Sequence, residues 1–290
     1  MVSIIVVTAG AGGYLADCLD SLKIQTSPAA EIVVIDNSLD PEFSRRISRD
    51  YPQVKIYPSP VNLYYAPAMN KGICLTKGEF VLCLNDDVAL DKMFIKEALK
   101  GFSVEPGIGM VAGKILRRDA KTIDSAGLFL SFWRTARERG YGKIDRGQFE
   151  RPGRVFGASG AAAFYRRRML EEVREKNGYF DSRFRMFYED LDIAWRAQRK
   201  KWRAFYAPAA LAWHVRGGTA RLNNGIGKPY ARRYLSADLH CCLVRNRRLT
   251  IGKNETLPGL LTHLPAIILY DFLVWVSSPL FKRRFFAKIK

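Results

Sequence analysis

The chain has 290 residues, 48% hydrophobic, 12% aromatic and 26% charged, a balance that permits a large packed core and excludes a disordered or collagen-like chain. Lys and Arg number 47 against 28 Asp and Glu, and the resulting +19 points toward an anionic partner: nucleic acid, anionic lipid or a phosphorylated substrate. No segment is low in complexity and no repeat of roughly 20–50 residues recurs, which excludes a solenoid.

In chain order, β-branched runs predict buried strands over 3–8, 31–36, 54–59 and 80–85. Amphipathic helices are expected between them over 14–25, 42–51 and 65–76. This alternation implies a doubly wound, mostly parallel sheet covered on both faces, with ligands at the carboxyl ends of its strands. The first strand begins without a basic leader, so no signal peptide is expected. Five cysteines (Cys18, Cys74, Cys83, Cys241, Cys242) with no C-x-x-C pair suit a reducing, cytoplasmic setting, and Cys74 and Cys83 read as core thiols.

Each early strand ends in polar residues: Thr8, Asp36 with Asn37, Asn62 a little beyond the third, and Asn85 to Asp87. Turn chemistry accounts for Asn37, Ser38 and Asn62 taken singly. Their shared edge favours a ligand. The acids of FVLCLNDDVAL (80–90) pose an electrostatic problem, since unpaired buried charge costs several kcal/mol. Their partner is expected to arrive with the substrate.

Past residue 90 a helix is expected over 91–106, a strand over 108–116, a flexible Arg- and Gly-rich substrate loop over 117–155, and a small-residue turn opening a helix over 156–173. Residues 183–202 carry a helix with Glu189 and Asp190 at its entrance, where carboxylates suit the dipole, and with Asp192 and Arg196 as a surface ion pair. Two short strands around Pro208 follow, the second ending at His214 before a Gly-Gly turn. From Lys228 onward twelve basic residues against three acids leave +9. Residues 256–281 are apolar and long enough to span a bilayer, but Pro258, Pro265, Pro279, His263 and Asp271 fit a helix in the membrane interface better.

A carboxylate and an imidazole with open positions can hold Mg or Mn against a diphosphate, while a second acid serves as general base. The segments VSIIVVTAG, IVVIDNSLD, NLYYAPAMNKGI, GEFVLCLNDDV, GASGAAAFYRRRML, GYFDSRFRMFYEDLDIAWRAQRKKW and WHVRGG resemble, in order and spacing, the family 2 glycosyltransferases, rhamnosyltransferase-type members of cell-surface polysaccharide synthesis among them. The resemblance covers about residues 2–250. It implies an α/β glycosyltransferase A fold over 1–226 (nucleotide-sugar half 1–90, acceptor half 91–226) with a helical appendage over 227–290.

The same resemblance implies an inverting transfer from a nucleotide-diphosphate sugar, dTDP-rhamnose being the suggested donor, to a glycan or polyprenyl-linked acceptor. It assigns Thr8, Ala9, Asp36, Asn62, Asn70, Asn85 and Asp86 to the nucleotide sugar, and Asp87 with His214 to Mg or Mn. Asp190 becomes the catalytic base, Glu189 its neighbour orienting the acceptor, and Gly157, Ala158, Ser159, Gly160 and Ala161 the acceptor side. Two departures stand out: TAGAGG replaces the usual aromatic and Asn after the first strand, which weakens a stacking role for Ala9, and Asn85 replaces an Asp. The expected location is cytoplasmic, peripheral at the inner membrane face, with an anionic membrane surface as partner and homo-oligomerisation allowed. A dinucleotide-dependent oxidoreductase is the enzymatic rival, but its G-x-G-x-x-G fingerprint fails at Leu15. A nucleic-acid-binding protein is the other rival; it lacks a recognised motif, and no nucleic acid is expected.

Overall fold

The computed structural model describes residues 1–10, 13–216 and 236–281. The chain first alternates β1 (Val2–Thr8), α1 (Tyr14–Lys23), β2 (Glu31–Asp36), α2 (Pro41–Asp50), β3 (Lys55–Pro58), α3 (Tyr65–Leu75) and β4 (Phe80–Asn85), as the β-branched runs foretold. There follow β5 (Val88–Leu90), α4 (Phe94–Phe102), β6 (Ile108–Arg117), β7 (Ile123–Ser125), β8 (Leu128–Leu130), β9 (Ala136–Glu138) and β10 (Gly153–Val155). The described part closes with β11 (Ala162–Arg166), α5 (Arg167–Val173), α6 (Glu189–Arg199), β12 (Arg203–His214), α7 (Ala237–Asn254) and α8 (Leu257–Phe281).

One sheet runs β10-β12-β6-β11-β4-β1-β2-β3, with β5 against β12 and β7 against β6. The strands β3, β2, β1 and β4 are mutually parallel, whereas β11 runs antiparallel between β4 and β6. Side chains alternate across the sheet. Ile4 and Val6 of β1 pack with α1, α2 and α4, while Ile5 packs with α3, α5 and α6 on the other face. A side chain at Gly72 of α3 would stand 2.3 Å from Ile5, so only glycine lets this helix lie so close to β1.

Five expectations change. Residues 117–155 are not a loose loop: they form β7 to β10 and bury Ile123, Asp124, Ser125 and Leu128. Their Arg and aromatic content is spent on stacking, with Arg139 over Phe129, Phe149 and Tyr206 and with Arg117 and Arg216 over Tyr141. Residues 162–166 are a strand, and the helix begins only at Arg167. The segment around Pro208 is one strand with a register shift between Ala207 and Leu211, the bulge that a residue without an N–H tolerates. Cys83 is a core thiol as expected, but Cys74 is exposed. Asp192 and Arg196 are buried, and they bind each other at 2.9 Å inside a network described below. The Gly217–Gly218 turn, Lys228, Arg232, Arg233 and residues 282–290 lie outside the described residues, as does the boundary expected at 226.

Candidate active site

The sequence places a polar residue at the carboxyl end of each central strand, and parallel pairing brings those ends together. Thr8 pairs with Asp36, and Val7 with Asn85, so the turn holding Asp86 and Asp87 stands beside the end of β1. Thr8 donates its hydroxyl to Asp86 at 2.6 Å and accepts the Gly10 N–H at 3.0 Å. Burial raises the Asp86 carboxyl to about 6; the Thr8 hydrogen bond opposes that rise and the charge of Asp87 adds to it. Asp87, 8% exposed, lies 3.1 Å through Oδ1 from Nε2 of His214 at the end of β12. The chain therefore supplies both partners of the acidic pair, which corrects the expectation that they come with the substrate.

Sequence reasoning missed what stands behind His214. Nδ1 lies 2.8 Å from Oδ2 of Asp124, a residue of β7 with no exposed surface, and Asp124 also takes the Arg216 guanidinium, with Arg117 at 3.4 Å. Burial alone would raise the Asp124 carboxyl, but Arg216 and His214 hold it down at about 2. For His214 burial pushes downward, and the two carboxylates outweigh it and lift the imidazole to about 9. A cavity of about 250 Å³ opens beside Asp87, lined by Tyr14, Asp17, Arg118 and Trp213.

The second acidic pair joins this edge through the backbone. Asn85 N–H donates to Ala161 at 3.0 Å, and the next residue back, Gly160, gives its N–H to Asp190 Oδ2 at 3.0 Å. Asp190 opens α6 and takes the Leu191 N–H at 2.7 Å. Four positive-φ residues aim this helix start: Arg185 at 59°, Phe187 at 70°, Tyr188 at 71° and, opposite them, Tyr64 at 60°. The carbonyls of Phe184, Met186 and Phe187 converge on Nδ2 of Asn246 in α7, within 2.7–2.9 Å. Burial raises both acids of the pair, and Glu189 climbs well above its usual range because the Asp190 charge adds to burial. Oε2 of Glu189 is buried with no hydrogen-bond partner, whereas backbone N–H groups hold the charge of Asp190.

Of the acceptor-side residues, Ser159 donates to Glu138 Oε1 at 2.7 Å, and Ser125 binds the other oxygen. Glu138, at the end of β9, escaped the sequence reading; no motif marks it. Burial and then the Asp190 charge raise it to about 7, against the hydrogen bonds of Ser125 and Ser159 and the charge of Arg216. Gly157 bonds to β8, and a side chain there would meet Ala194; Ala158 and Ala161 are buried.

The remaining nucleotide-side residues differ in how free they are. Ala9 is exposed at the end of β1. Asp36 already binds Ser38 N–H at 2.7 Å and the Ser44 hydroxyl. Asn62 closes a turn on Tyr64 N–H at 2.8 Å. Asn70 lies apart from the edge: it clasps both backbone groups of Phe180, at 2.7 and 2.9 Å, and so ties α3 to the chain entering α6.

Comparison with known proteins matches residues 3–174 to the model of Glycosyl transferase family 2. Among curated relatives, N-acetylglucosaminyl-diphospho-decaprenol L-rhamnosyltransferase of Mycobacterium tuberculosis is 27% identical over 235 residues, 73% of this chain and 75% of that protein. Poly-beta-1,6-N-acetyl-D-glucosamine synthase of Staphylococcus epidermidis is 26% identical over 209 residues, 68% of this chain but only 45% of that protein. Among solved structures, GalNAc-T7 with UDP, GalNAc and Mn2+ superposes with a TM-score of 0.64 at 14% identity, over 87% of this chain and 47% of that one. The mannosyltransferase PcManGT from Pyrobaculum calidifontis in complex with GDP-Man and Mn2+ gives 0.59 at 17% identity, over 96% and 74%. The fold is thus the glycosyltransferase A fold.

Proposed function

The chain belongs to glycosyl transferase family 2, and from that premise we propose that it inverts a sugar in passing it from a nucleotide diphosphate to a hydroxyl of a glycan or lipid-linked acceptor. The observation that carries this reading is the meeting of Asp87, His214 and Asp190 on one sheet edge, joined through Asn85, Ala161 and Gly160. The likeness to the M. tuberculosis rhamnosyltransferase supports rhamnose as the sugar transferred and a polyprenyl-linked acceptor, with dTDP-rhamnose the donor to test first. Such an acceptor suits a cytoplasmic chain held at the inner membrane face.

The residues fit a divalent cation. Asp87 offers a hard oxygen and His214, once the cation displaces its proton, an imidazole nitrogen 3.1 Å away, and Asp124 fixes the ring from behind. Among the described residues no further group of His, Cys, Asp or Glu completes a cage, so donor oxygens would fill the remaining positions. A bound Mg or Mn supplies positive charge against the charge that develops on the departing diphosphate. Asp86 and Thr8 seat the ribose side of the donor, and Ala9, Asp36 and Asn62 border the base. Asp190 takes the proton of the attacking hydroxyl at Oδ1 or Oδ2, and its two backbone N–H partners keep it the charged member of the pair. Glu189 stays protonated and can donate to an acceptor hydroxyl.

The test combines a panel of nucleotide sugars, scored with Mn for donor hydrolysis and thermal stabilisation, with Asp190→Asn. That variant should still be stabilised by the donor while transfer falls about 100- to 10,000-fold. Normal turnover of Asp190→Asn would remove the base assignment.

A further inference from the structure

Helix α8 is the one candidate membrane span among the described residues, with a mean hydropathy of 1.6 over its most apolar stretch within Leu257–Ser277 and only 6% of that stretch buried. Its contacts run along its length. Phe132 packs on His263 with ring centroids 4.8 Å apart, Trp133 on Tyr270 at 6.3 Å, and Asp271 binds Arg247 and, at 3.2 Å, Arg248. Just ahead of the helix, Glu255 binds Arg134. Phe132, Trp133 and Arg134 form the tip of the hairpin that joins β8 and β9. A helix crossing a hydrocarbon core of about 30 Å would have to carry His263, Tyr270 and the Arg247–Asp271 pair off the body and into lipid. Beyond Asp271 the described part of the helix covers residues 272–281, about 15 Å at 1.5 Å per residue.

The other side of α8 is apolar. Leu257, Leu261, Leu264, Ile268, Phe272 and Trp275 recur at spacings of three and four, each 39–71% exposed. Phe132 is 61% exposed beside them. Arg248, which binds Asp271, and Arg137 on β9 of the hairpin are exposed, Lys282, Arg283 and Arg284 follow in sequence, and Asp271 is the helix's single acid.

We infer that α8 lies in the plane of an anionic lipid surface, its Leu257–Trp275 stripe sunk into the interface beside Phe132 and its basic flanks on the headgroups. The inference rests on the membrane reading above and deepens it. The hairpin then stands between lipid and acceptor site, since β9 ends at Glu138, the partner of Ser159.

The test uses the full chain with Cys74, Cys241 and Cys242 replaced by Ser, and an NBD label at Leu257→Cys, Ile268→Cys or Phe272→Cys. Each protein meets phosphatidylglycerol or phosphatidylcholine vesicles carrying lipids spin-labelled at graded depths. The three labels should report one shared shallow depth on the anionic vesicles alone. Depth that increases steadily from 257 to 272 would overturn the in-plane placement in favour of a crossing. Labels left in water on bound vesicles, or shielded by self-association without vesicles, would overturn it in favour of another docking site or a second copy of the chain. Absence of any vesicle binding would sink the membrane reading itself. No outcome depends on donor or acceptor, so the glycosyltransferase reading is tested apart.

Discussion

Carboxylates crowded into one patch of low-dielectric protein cannot all stay charged at neutral pH, and the surroundings of Glu138, Glu189 and Asp190 decide which does. Asp190 has N–H donors; Glu189 has an orphaned oxygen; Glu138 has hydroxyl donors and about 7 as its midpoint. The charge on Asp190 helps raise Glu138, so Asp190→Asn should bring the Glu138 carboxyl down toward the ordinary carboxylate range. Carboxyl NMR of Glu138 against pH should show that fall, and an unmoved Glu138 would show that burial alone sets it. At this scale the sequence disclosed the residues that sit in motifs: Asp86, Asp87, Asp190 and His214 all reach the edge expected of them. Asp124 and Glu138 were illegible because their roles come from burial and distant pairing, and both lie in a stretch whose composition reads as loop.

Among elements, the coupling of α6 to α7 matters most to the site. Asp192 takes Arg196 at 2.9 Å, Asn254 at 2.8 Å and Lys253 at 3.1 Å, and Lys253 also reaches Asp181 at 2.7 Å. Arg196 in turn holds the carbonyls of Val173 and Tyr179. Asp192→Ala leaves buried cations without their carboxylate, so unfolding by urea should show a loss of about 3–5 kcal/mol. A loss under about 1 kcal/mol would return the pair to the exposed class, where it counts for little. The i,i+4 spacing announced the pair correctly, but spacing says nothing of what covers a helix, and α7 covers this one. Strand positions in the first half were plain from their apolar runs; β7 to β11 were not, being three to five residues long, too short for a run or an alternation to stand out.

For the molecule as a whole, the proposed membrane placement would join the +19 charge and the apolar stripe of α8 in one device, an electrostatic approach followed by insertion. Vesicle retention of the intact chain should therefore fall as salt rises. On the proposed placement Phe132 at the hairpin tip faces lipid and Glu138 the acceptor, and the six residue steps between them reach at most about 20 Å at 3.3 Å each. On the proposed membrane placement the hairpin would be a height gauge. It would fix how far above the bilayer a hydroxyl must stand to meet Asp190, and each sugar added would lift the new terminus past that mark. A lipid-linked acceptor should gain one mass increment and stop, whereas a ladder of products by mass spectrometry would mean that the acceptor slides free of the gauge.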